Sequence, residues 1–318
     1  MSLSACAALF SLFDKELYSL SFSCSILNFL RGGDRFHGDD NRGPPQTNLI
    51  QLPAVLHFFL MLAAATASAF DPFTPRPLRI SLKYPEAWRQ APRPSGAPAQ
   101  RAENWLKRRG ILSCPEVQGR VKASGASELA ARLFPSATGN RIEIIAQALL
   151  LWTVQPYQPE ADLTACWKDV LAGAAELMPE SWVARFSSAR AGRPELLPIT
   201  LVELMCGAPL SGEILSDPDY SHLIEAAADC LATSQSLCLE ASRTLAPASL
   251  RWTEYVHNSQ VRAVRRIAQR LQDRYRSDKK FAPWLRGVFQ VLSGFAEWSV
   301  ASVRSNGAAR VEIAVTAF

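Results

Sequence analysis

A chain of 318 residues holds one large domain or two small ones, and 48% hydrophobic against 20% charged residues excludes a chain disordered throughout. The formal net charge of +5 permits an anionic partner without demanding one. The seven cysteines (Cys6, Cys24, Cys114, Cys166, Cys206, Cys230 and Cys238) form no CxxC pair and no Cys/His cluster. That pattern argues against zinc and a disulfide framework, and for a reducing, cytoplasmic location.

The first seventy residues are irregular. "LFSLFDKELYSLSFSCSILNFL" is apolar without clean periodicity, "RGGDRFHGDDNRGPPQTN" is a polar break, and "LIQLPAVLHFFLMLAAATASAF" ends in Ala67-Ser68-Ala69. That ending resembles a signal-peptidase site, but it stands too far along the chain for a secretory leader. Residues 49–70 are long enough to reach across a membrane yet carry Gln51, Pro53 and His57. They are the stretch through which membrane contact is to be considered. A misplaced start codon or unspliced sequence accounts for this segment better than a membrane anchor does, so residues 1–74 are set apart as an N-terminal extension.

Residues 71–100 are Pro-rich and predict an extended lead-in. From about residue 101 the pattern is helical. "RAENWLKRRGIL" predicts a short helix closed by Gly110, and "SELAARLF" one capped by Ser127 and stopped before Pro135. The apolar "NRIEIIAQALLLWTV", residues 140–154, breaks at Pro156 and Pro159. "ADLTACWKDVLAGAAELM" ends at Pro179, "ESWVARFSSARAG" at Gly192 and Pro194, and "LLPITLVELMCGAPL" contains a short apolar helix. "SDPDYSHLIEAAADCLATSQSLCLEASRTL" opens with acids, which suits the helix dipole. Cys230 and Cys238 within it read as small buried residues. Two helices, about 248–277 and 281–304, complete the chain, and only "ARVEIAVTAF" alternates like a strand. The prediction is an all-α domain over residues 75–318.

Several of these segments, in order, resemble the class I terpene synthases of bacteria and fungi. "ELAARLFPSATGNRIEIIAQALLLWTV" resembles their passage from helix B to helix C. "ITLVELMCGAPLSGEILSDPDYSHLIEAAAD" is similar to the run that leads into their helix H, and "FAPWLRGVFQVLSGFAEWSVASVRS" resembles their closing helix. The resemblance covers roughly residues 100–306 and lies in the order and spacing of segments. It implies a class I isoprenoid synthase-like helical bundle acting as a lyase in isoprenoid secondary metabolism, such as sesquiterpene formation. Mg²⁺ would assist ionisation of a prenyl diphosphate, farnesyl diphosphate foremost, and the carbocation would cyclise in an apolar pocket as diphosphate is lost. Mg²⁺ takes oxygen ligands, and arginines match phosphate oxygens.

The resemblance also implies site residues. The aspartate-rich box that ends helix C falls on Gln155, Pro156, Tyr157, Gln158, Pro159 and Glu160, of which Glu160 alone could bind a metal. The second metal motif, with ligands at i, i+4 and i+8, falls on "ATSQSLCLE". There Ser236 and Glu240 keep two ligand positions, while Ala232 replaces Asn and Thr233 replaces the neighbouring Asp. Arg190 (Arg193 as fallback) and Arg304 are the implied diphosphate-binding residues, with Ser305 where a Tyr would stand. The stretch before Arg190 is shorter than in the family. Trp152, Phe289, Phe295 and Trp298 are the implied pocket aromatics. Their plain reading is core packing, as a solvated face is for Ser236 and Glu240. The missing ligands leave a second function open: a non-catalytic binding protein on the same scaffold.

Arg262, Arg265, Arg266, Arg270 and Arg274 lie largely opposite Val261, Val264, Ile267 and Leu271. Such a basic amphipathic helix can be a plain outer face or can meet an anionic membrane or nucleic acid. No DNA-binding signature accompanies it, so no nucleic-acid partner is expected. There is no GxSxG, P-loop or GxGxxG, and His37, His57, His222 and His257 show no ligand spacing.

Overall fold

The computed structural model describes residues 78–89, 96–158, 160–242, 247–305 and 311–318. Residues 49–70, and the extension to which they belong, lie outside the described residues. Among the described residues no helix is long and apolar enough to cross a membrane.

The expected extended lead-in contains a strand, set beside the all-α bundle. β1 (Leu78–Tyr84) pairs in parallel with β2 (Val311–Ala317), from Leu78 opposite Val311 to Tyr84 opposite Ala317. Ile80, Leu82 and Tyr84 are buried while Arg79 and Lys83 are exposed, the period-two alternation of a half-buried strand. The other edge of β1 is closed by a helix rather than a strand. Ser81 N donates to Glu254 Oε1 (2.8 Å), Lys83 N donates to Asn258 Oδ1 (2.8 Å), and Asn258 Nδ2 donates to the Ser81 carbonyl (2.9 Å). These bonds satisfy backbone groups that an open edge would leave unpaired.

The helices follow the punctuation of the sequence. α1 (Gly96–Arg108) is followed by Gly110, whose φ of 78° only glycine adopts readily. α2 (Pro115–Ser124) and α3 (Ala126–Leu133) meet at Gly125. Ser127 is not the cap of α3; it lies in the first turn and donates to Glu103 of α1. α4 (Asn140–Val154) runs into a 3-10 turn at Gln155–Tyr157. Then come α5 (Glu160–Ala175), α6 (Glu180–Gly192), α7 (Leu196–Cys206), the short α8 (Gly212–Ser216), α9 (Pro218–Ser242), α10 (Pro247–Arg274) and α11 (Phe281–Ser305). Asp217 caps α9 by accepting from Asp219 N (2.9 Å), and also accepts from Tyr275 OH (2.9 Å) and from Arg274. The acidic start of α9 is thereby tied to the end of α10.

α11 is the central element. Val288, Val291, Leu292, Phe295 and Ala296 are all buried, and the helix packs on α3, α7 and α9. Gly287 and Gly294, two turns apart on one face, permit the approach. A Cβ at Gly287 would stand 2.5 Å from Val202 Cγ1 on α7. One at Gly294 would stand 2.7 Å from the carbonyl oxygen of Arg132 on α3. The second obstacle is backbone and cannot swing aside. Gly294→Ala is therefore expected to destabilise the fold by about 1–3 kcal/mol. An unchanged urea midpoint would contradict the close approach.

Candidate functional site

Ala232, Ser236 and Glu240 fall on one side of α9 and are half-buried. Their neighbours Thr233 and Ser234 turn instead into a buried polar seam with α10. Thr233 Oγ1 lies 2.7 Å from Gln260 Oε1 and 3.2 Å from His257 Nδ1, and Ser234 Oγ lies 3.3 Å from the same nitrogen. His257 is fully buried, edge-on to Tyr84 with ring centroids 5.4 Å apart. Burial lowers its pKa to about 4, so the imidazole is neutral near pH 7. This seam joins β1, α9 and α10. Sequence reading missed it, although the polar pairs Thr233-Ser234 and His257-Asn258 on otherwise apolar faces were its signal.

Glu240 is engaged. Its Oε2 accepts from Ser249 Oγ (3.2 Å) and Thr253 Oγ1 (3.3 Å), both on α10. Desolvation raises its pKa, against the lowering effect of those two hydroxyls. Arg190, near the end of α6, lies with its Cζ 5.3 Å from the centroid of Trp167 on α5. The side chains of Glu160 and Arg304 lie outside the described residues. Mg²⁺ holds about six oxygens in near-octahedral order. Ala232 offers no donor, the turn at Gln155–Tyr157 has no carboxylate, and Glu240 already receives two hydroxyls. Among the described residues no three His, Cys, Asp or Glu side chains converge to hold a metal. The described donors do not fit the Mg²⁺ cluster that the resemblance implies.

Three of the four proposed pocket aromatics form one row. Trp152 and Phe295 have centroids 5.8 Å apart, Phe295 and Trp298 5.4 Å, and Trp298 Nε1 donates to the Gly125 carbonyl (3.3 Å). Phe289 stacks instead on Trp88, at 4.1 Å and 5°. Phe295 is wholly buried, and the contacts of this row are those of packing.

A groove of about 520 Å³ lies elsewhere, between α6, α7 and α9. Ala184, Ser188 and Gly192, one per turn of α6, keep its floor low, while Leu196, Ile199 and Ile224 supply apolar wall. Arg185, Arg193, Thr200, Glu203 and Tyr220 supply the polar groups. Glu203 is only 2% exposed; it accepts from Arg185 Nη2 (3.0 and 2.8 Å) and from Leu210 N (2.9 Å). Arg193 Nη2 donates to Asp229 Oδ1 (3.2 Å). Each guanidinium has five N–H donors, and these bonds use one nitrogen of each. Sequence reading passed over Arg185, and the small-residue period in "ARFSSARAG" was the available signal.

The raised pKa of Glu240 fixes a sign. The folded state prefers the protonated acid, so its contribution to stability is full below the usual glutamate range and is lost as pH rises through the folded pKa. Glu240→Gln still accepts a hydrogen bond without charge. Its thermal midpoint is expected to match that of the parent protein near pH 3.5 and to exceed it at pH 7, on the reference scale of carboxylate titration. A variant less stable than the parent at pH 7 would mean that the charge itself is needed.

No protein-family model matches the chain, and no curated protein matches it by sequence. Among solved structures it is similar to wild-type cucumene synthase, at 15% identity over 72% of this chain and 99% of that one, with a TM-score of 0.52. It is also similar to hedycaryol synthase in complex with HEPES, at 16% identity over 74% and 99%, TM-score 0.51. A third similar structure is the SVS_A2 protein from ancestral sequence reconstruction, at 17% identity over 71% and 90%, TM-score 0.51. Identity at this level carries the fold and not the activity. The helical bundle of this chain has the class I terpene synthase-like fold.

Proposed function

We propose that this chain binds a prenyl diphosphate, of farnesyl length, in the groove between α6, α7 and α9, without ionising it through a metal cluster. The groove carries the reading. Its volume falls within the range of small-molecule sites, roughly 300–1,000 Å³. Leu196, Ile199 and Ile224 offer an isoprenoid chain apolar surface to leave water for. Arg185 and Arg193 border the same space with guanidinium donors that suit diphosphate oxygens. The fold shared with proteins named cucumene synthase and hedycaryol synthase supports this ligand class. A second reading is Mg²⁺-dependent ionisation and cyclisation with loss of diphosphate. Its favouring observation is that Ser236 and Glu240, at i and i+4, share one half-buried face.

Two measurements test the proposal. Purified protein incubated with farnesyl or geranyl diphosphate and Mg²⁺ is expected to release no hydrocarbon or terpene alcohol above the protein-free control. A product would replace binding with the second reading. Arg193→Ala is expected to weaken farnesyl diphosphate binding about tenfold, the worth of one charged hydrogen bond. Undiminished binding by that variant would move the ligand out of the groove.

A further inference from the structure

The exposed large hydrophobic side chains among the described residues gather around α10. Trp252 and Tyr255 stand on it, Leu239 lies beside its start at the end of α9, and Phe318 follows β2. The buried side of α10 includes His257, Val261, Val264, Ala268 and Leu271. Opposite that side, Tyr255, Arg262 and Arg266 follow one another at i, i+7 and i+11, with Arg265 alongside, and all four are exposed.

The charges on this stripe are not neutralised by ion pairs among the described residues. Arg251 pairs with Glu254, Arg270 with Asp219, and Arg274 with Asp217 and Asp219. Asp273 is held by Gln269 and Arg276. No acidic side chain among the described residues pairs with Arg262, Arg265 or Arg266. Arg265 lies over Phe318, its Cζ 6.0 Å from the ring centroid. Tyr255 is 59% exposed and stacks with Trp252 at 5.7 Å and 28°.

We propose that this face of α10 is a peripheral docking surface for an anionic lipid membrane. From Tyr255 to Arg266 the stripe runs about 16 Å along the helix, so its three guanidiniums can meet lipid phosphates in one plane. The aromatic edges beside them suit the headgroup layer, where amphipathic rings reside. A single-stranded nucleic acid would use ring faces for base stacking. Here one face of each ring is already taken: Trp252 and Tyr255 stack on each other, and Phe318 lies under Arg265. Each arginine near an anionic surface raises partitioning about fivefold, and the three together on the order of a hundredfold.

Co-sedimentation of the full chain with vesicles tests this. The protein is expected to bind vesicles of phosphatidylcholine mixed with phosphatidylserine at low salt and to leave them at high salt. Phosphatidylcholine alone is expected to retain little. The double change Arg262→Glu with Arg266→Glu should lower binding at least tenfold at unchanged circular dichroism. Arg262→Gln with Arg266→Gln serves if the reversed charges disturb folding. Failure to bind the anionic vesicles, or equal retention on phosphatidylcholine alone, overturns the proposal. So does undiminished binding by the charge variants, which assigns the contact to another segment such as residues 49–70. Capture of a single-stranded RNA through the same arginines, without vesicle binding, overturns it as well.

Discussion

The close approach of α11 to α3 and α7 sets the rest of the bundle. A helix buried on so many sides cannot be shifted without opening voids along each neighbour, and interiors are packed too densely to absorb that. Gly287 turns the Val202 and Met205 side of α7 inward. The opposite parts of α7, Leu196, Ile199, Thr200 and Glu203, are then left to line the groove with α6 and α9. The same helix presses Phe295 between Trp152 and Trp298, which makes that aromatic row a strut of the core.

Buried polar groups fix what apolar packing leaves undetermined. The Glu203 carboxylate at 2% exposure is tolerable only because Arg185 and the Leu210 amide both reach it. Its pair binds α6 to α7 and holds the chain that follows α7, so the arginine bordering the groove is preset before any ligand arrives. The seam around His257 does the corresponding work between β1, α9 and α10. Thr233 and Glu240 both bond across the α9–α10 contact.

Much of the fold was legible because local signals coincide with its boundaries. Proline and glycine bracket α4 and α6 on the expected residues. β1 was hidden for a physical reason: seven residues carry a short alternation, prolines flank them, and the pairing partner lies at the far end of the chain. Ser127 looked like a cap by residue type, yet the left-handed Gly125 starts α3 instead. In the site, the spacing of Ser236 and Glu240 was readable, but the hydroxyls that occupy Glu240 come from another helix. The groove was unreadable as a unit, since three separate segments build it. Arg190, implied by the resemblance, lies on Trp167, while Arg185 and the fallback Arg193 border the cavity.

Metal dependence of ligand binding is the most direct test of recognition without a metal cluster. Calorimetric titration of farnesyl diphosphate into the protein, once with Mg²⁺ and once with a chelator, measures it. The same affinity in both conditions is the predicted result. Binding that appears only with Mg²⁺, or in neither condition, would contradict the account.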